Sequence, residues 1–73
     1  MESKLNHIIN NPTATDREKV DELLFLDAQL YANLGTDSTD EDRVLAKTNS
    51  ILIYEAIKKI DYSQGDIYLR LLK

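Results

Sequence analysis

The chain has no cysteine and no tryptophan, one histidine, one proline and two glycines among its 73 residues. Each scarcity removes a class of explanation. Without cysteine no disulfide can staple the fold, and a structural zinc site, which wants four nitrogen or sulfur ligands, cannot be assembled around His7 alone. Rare glycine and proline disfavour both a turn-rich β fold and a disordered chain. Gly35 and Gly65 stand isolated, so there is no glycine-rich loop to cradle a phosphate. No stretch approaches the ~20 apolar residues of a membrane span. The segment from Met1 to Asn11 lacks the ~7–15-residue apolar run of a signal peptide. The expected compartment is cytoplasmic, or a host cytoplasm or virion for a viral chain.

What is present is an ordinary folded composition, with 42% apolar and 30% charged residues. Thirteen acids against nine bases leave a net charge of −4. That balance disfavours nucleic acid and anionic membranes, because both are gripped by lysine and arginine. A domain this small buries only about 60% of the surface its unfolded chain exposes. Its own core supplies ~3–5 kcal/mol. With disulfide and metal removed, stability has to come from helix packing and from association with other chains.

Apolar spacing divides the chain into four helices. Met1, Leu5, Ile8 and Ile9 form one stripe over 2–10, which Pro12 brings to a stop. Thr15 and Glu18 make a capping box for a long helix over 16–34. Its apolar face is centred on Val20, Leu23, Leu24, Leu30, Tyr31 and Leu34, with Gly35 the expected left-handed residue after it. A second long helix is expected over 39–60. Ser38 and Glu41 form its capping box, with Thr39 and Asp42 as a register-shifted competitor. Ala46, Asn49, Ile53, Ala56 and Ile60 form its stripe, widened by Leu45, Leu52 and Ile57. The segment Tyr62–Lys73 reads as a short helix over 64–72, capped by Ser63. A strand is the competing reading, but nothing else in the chain would pair with it. The short connection Gly35–Ser38 makes the two long helices an antiparallel hairpin. The fold class expected is therefore all-α: a single small three- or four-helix bundle built on that hairpin.

Three features break the pattern. Asp27 lies in the middle of an apolar face, where an ionised carboxylate costs several kcal/mol unless it is paired. Asn49 sits in the centre of the next helix's stripe. Counting from the turn places the two about one helical turn apart, so Asp27–Asn49 is the expected buried polar pair, with Lys47 or Ser50 as alternatives. Val44 and Ile51, seven residues apart, fall opposite the core stripe with Tyr54 toward the same side. Together with Phe25 they suggest more apolar surface than one copy can bury, and they form the expected protein interface.

The remaining chemistry is thin. The acidic run Asp37, Asp40, Glu41 and Asp42 does not make an EF-hand. From Asp37 the sixth residue is Asp42 rather than glycine, and the twelfth is Thr48 rather than glutamate. Helix capping accounts for these acids. No catalytic, metal or cofactor site is expected, since no nucleophile sits beside a base. The functional expectation is a non-enzymatic, self-associating, protein-binding helical bundle. An accessory protein of phage type fits, whether a virion component or a modulator (inhibitor or small subunit) of a host enzyme. The alternative is a small-ligand bundle with a pocket around Asp27, His7 and Tyr31.

Overall fold

A computed structural model describes residues 2–72. Helix α1 spans Glu2–Ile9, α2 Asp16–Ala32, α3 Asp40–Ile60 and α4 Tyr62–Leu72, with no strand among the described residues. The molecule is an all-α bundle, and the last segment is a helix. Met1, assigned above to the first stripe, and Lys73, at the end of the last segment, lie outside the described residues.

Local chemistry explains where each helix begins and ends. After α1 the Asn11 side chain accepts bonds from the Thr13 backbone N–H (3.1 Å) and hydroxyl (2.8 Å), folding the chain around Pro12. The Thr15 box forms as its sequence implies: the Glu18 N–H donates to Thr15 Oγ1 and the Thr15 N–H to Glu18 Oε1. Helix α2 stops two residues short of expectation, at Ala32. Its cap is Asn33 at φ −82°, and no glycine in the described chain has a positive φ. Gly35 instead closes the interhelical turn. Its N–H donates to Ser38 Oγ (2.8 Å) and its carbonyl accepts from the Ser38 N–H (3.1 Å).

Because the Ser38 hydroxyl is committed to that turn, it does not cap α3. The competing box forms in its place: the Asp42 N–H donates to Thr39 Oγ1 (3.1 Å) and the Thr39 N–H to Asp42 Oδ2 (3.0 Å). An N-cap of this kind contributes about 1 kcal/mol. Thr39→Ala should lower the thermal midpoint accordingly, whereas Glu41→Ala should change stability by less than about 0.5 kcal/mol. The reverse ranking would return the cap to Ser38 and Glu41.

The core combines Leu5 and Ile8 of α1, Val20, Leu23 and Leu26 of α2, and Ile53, Ala56 and Ile57 of α3. Helix α3 is the hub: it packs against all three other helices, whereas α4 packs against α3 alone. The inner stripe of α3 is Ala46, Ser50, Ile53, Ala56 and Ile57. This differs from the expected stripe, since Leu45 is 59% exposed and Asn49 and Ile60 are only half-buried. The stripe is turned toward Tyr54 because α4 covers that flank.

A single residue separates α3 from α4. Asp61 ends α3, and its Oδ1 accepts from the Gln64 N–H (3.2 Å), so it caps the start of α4 in place of the expected Ser63. Helix α4 then runs back antiparallel along α3. Gly65 is buried, and a Cβ built on it would lie 2.4 Å from both Cα and N of Lys58. The absent side chain lets the two backbones approach at that level.

Candidate functional site

Asp27 is the polar centre of the molecule. One carboxylate oxygen accepts from the Ser50 hydroxyl and the other from the Tyr54 hydroxyl, each at 2.5 Å. Ser50 is completely buried, while Asp27 and Tyr54 are half-buried. The spacing explains the pairing. Ser50 and Tyr54 are i and i+4 on α3, so they stand one above the other on a single face and present two hydroxyls to one α2 carboxylate.

The pair Asp27–Asn49 therefore does not form among the described residues. Asn49 is rotated about 100° from Ser50 around the helix and faces a shallow groove with Leu30, Asn33, Leu34 and Leu45. Ser50, one of the two alternatives, takes its place. Sequence spacing sets Tyr54 toward the side of Val44 and Ile51 and gives no sign of its bond to Asp27.

The arrangement continues into α4. The Tyr54 ring stacks on Tyr68 with centroids 5.2 Å apart and planes inclined by 23°. Gln64 Nε2 donates to the Tyr68 hydroxyl at 3.3 Å. Lys58 Nζ sits 4.7 Å from the Tyr62 ring centroid, a cation–π contact across the same seam. Asp27, Ser50, Tyr54, Tyr68 and Gln64 thus link α2, α3 and α4 in one run of polar and aromatic contacts.

Burial pushes the Tyr54 hydroxyl up from 10.0 to about 12, assisted by its bond to Asp27. The neutral phenol is the form the fold prefers. Its stabilisation is complete below the unfolded value near 10 and is lost as the pH climbs through about 12. Denaturant midpoints should fall between those limits, and Tyr54→Phe should remove that part of the decline. A decline unchanged in Tyr54→Phe would place its cause in other groups.

Chemically, both oxygens of Asp27 are engaged and the Ser50 hydroxyl is sealed from solvent, so no substrate reaches that oxygen in this arrangement. His7 is exposed and lines an open cleft with Ser3, Asn6 and Pro12, while Tyr31 is 42% exposed. The structure does not gather these two around Asp27 into one pocket. No group of three or more acidic, histidine or cysteine side chains is placed to hold a metal among the described residues. No described helix is long and apolar enough to cross a membrane.

Of the expected interface residues, Val44 is 65% and Phe25 63% exposed, whereas Ile51 and Tyr54 are half-buried. The structure adds Leu45, Ile67 and Leu71, which are also exposed. Val44 and Leu45 are adjacent and share a shallow groove with Asp40, Glu41 and Thr48. No protein-family model, no curated protein and no solved structure matches this chain.

Proposed function

We propose that this chain is a non-enzymatic protein-binding module that self-associates and engages a protein partner through the N-terminal half of α3. The observation that carries the reading is the pair Val44 and Leu45, 65% and 59% exposed, side by side in one groove. Isolated exposed apolar residues need no explanation, but adjacent ones with a charged rim are typical of contact surfaces. Asp40 and Glu41 on that rim select a partner whose apolar patch is bordered by lysine or arginine. An accessory role, as a virion component or as a modulator of a larger host enzyme, uses a surface of this kind. The ligand-pocket alternative has less support, because Asp27 is occupied by its own chain.

The test is comparative affinity capture with mass spectrometry from the native host, using wild-type, Val44→Asp and Leu45→Asp baits. Both positions are exposed, so the variants should fold normally. The reading expects one partner to be retained by wild type and lost from both variants. It fails if the three baits capture the same proteins.

A further inference from the structure

We propose that two copies of this chain exchange α4: the Asp61 hinge straightens, and each α4 docks on the α3 of its partner. The proposal deepens the self-association part of the functional reading above and rests on it.

Three observations carry it. First, α4 packs only against α3, so transferring α4 to a second copy restores every one of its interhelical contacts without disturbing α1 or α2. Second, the hinge is one residue long. Short hinges favour exchange because they close poorly within one chain. Third, the backbone at the hinge is already half-way to a continuous helix. The Asp61 N–H donates to the Ile57 carbonyl (2.7 Å) and its carbonyl accepts from the Gly65 N–H (3.1 Å), both i to i+4 helical bonds. The Tyr62 and Ser63 N–H groups have no protein acceptor among the described residues, and Gln64 relies on the Asp61 side chain. Moving Asp61 from φ −135°, ψ 98° to helical angles would let all three donate to the carbonyls four residues back. The closed form leaves these exposed N–H groups to water and to the Asp61 side chain, whereas the open form pairs them within one helix.

The register fixes the geometry of the exchanged pair. Gly65 lies level with Lys58 and Tyr68 with Tyr54. Two fused helices of residues 40–72 would therefore lie antiparallel and cross at Asp61 and Tyr62, with the two Asp61 side chains close together. That juxtaposition of like charges restrains exchange in the natural sequence and marks Asp61 as its control point. Symmetric exchange of one element is an accessible route to a closed dimer, since the contacts already exist within the monomer.

The test compares mass in solution, by size exclusion with light scattering up to high micromolar concentration, for three proteins. They are the wild type, Asp61→Ala, and a chain with Gly-Ser-Gly inserted between Asp61 and Tyr62. Asp61→Ala removes both the side-chain cap and the charge at the crossing, and should tighten dimerisation by about tenfold or more. The insertion lengthens the hinge and should weaken it by at least as much, with helix content by circular dichroism showing that α4 stays folded. Dimers of equal affinity in all three would overturn the exchange while leaving self-association standing through another surface. A wild type or Asp61→Ala protein that stays monomeric throughout would overturn the exchange as well. The affinity-capture comparison judges the partner-binding reading independently of either result.

Discussion

Replacing Gly65 by alanine should loosen α4 from the rest of the molecule. Two effects oppose each other. Alanine gains about 1 kcal/mol of helix propensity over glycine. Against that, its Cβ would sit 2.4 Å from the Cα and N of Lys58, atoms of a backbone that cannot swing aside as a flexible side chain does. The helices must part by more than an ångström, and overpacking of this kind costs about 1–3 kcal/mol. Parting them also weakens the Tyr54–Tyr68 stack, worth about 0.5–1.5 kcal/mol. The clash therefore wins over propensity. Chemical denaturation should show a loss of about 1–2 kcal/mol. Amide exchange should quicken across Tyr62–Leu72 well before it does in α2. A Gly65→Ala protein as stable as wild type, with α4 equally protected, would show that the helices adjust to the methyl group.

Asp27→Ala should be the most damaging single change in the polar network. It removes the acceptor of two short bonds, and hydrogen bonds to charged groups contribute about 1.5–3 kcal/mol each. Ser50 is the greater liability, because its hydroxyl is completely buried and has no route to water. Tyr54 is half-buried and can be solvated in part. The expected loss is about 2–4 kcal/mol by denaturant unfolding. The triple variant Asp27→Leu, Ser50→Ala, Tyr54→Phe replaces every partner with an apolar group and should recover most of that loss. If the triple variant is no more stable than Asp27→Ala, the damage comes from packing around Asp27 rather than from stranded donors.

Much of the fold is legible in the sequence because it rests on local chemistry. Thr15 and Glu18 announce the start of α2, and apolar spacing reveals four helical segments and the hairpin between the long ones. The errors share a physical cause. Counting residues from a turn gives the height of a side chain along a helix but not its direction around it. Counting sets Asp27 about one turn from Asn49, yet the α3 residues that face it are Ser50 and Tyr54. Direction is set by what packs on the far flank, here α4, and no local pattern discloses that. Gly65 has a role that only the packed structure shows. Within its own helix it is a weakness; against Lys58 it is the condition for close packing. Ser38 failed as a cap because Gly35 claims its hydroxyl, a contact that exists only once the turn is closed.

The position of α3 as the one helix in touch with all the others also bears on speed. Most of the contacts it makes are with helices adjacent in the chain, across connections of seven residues or one. Short loops close at little entropic cost, so the barrier to assembly is low and such bundles form in microseconds to milliseconds. A nascent chain need only finish α3 to have α1 and α2 gathered against it, and α4, made after them, finds its seat already built.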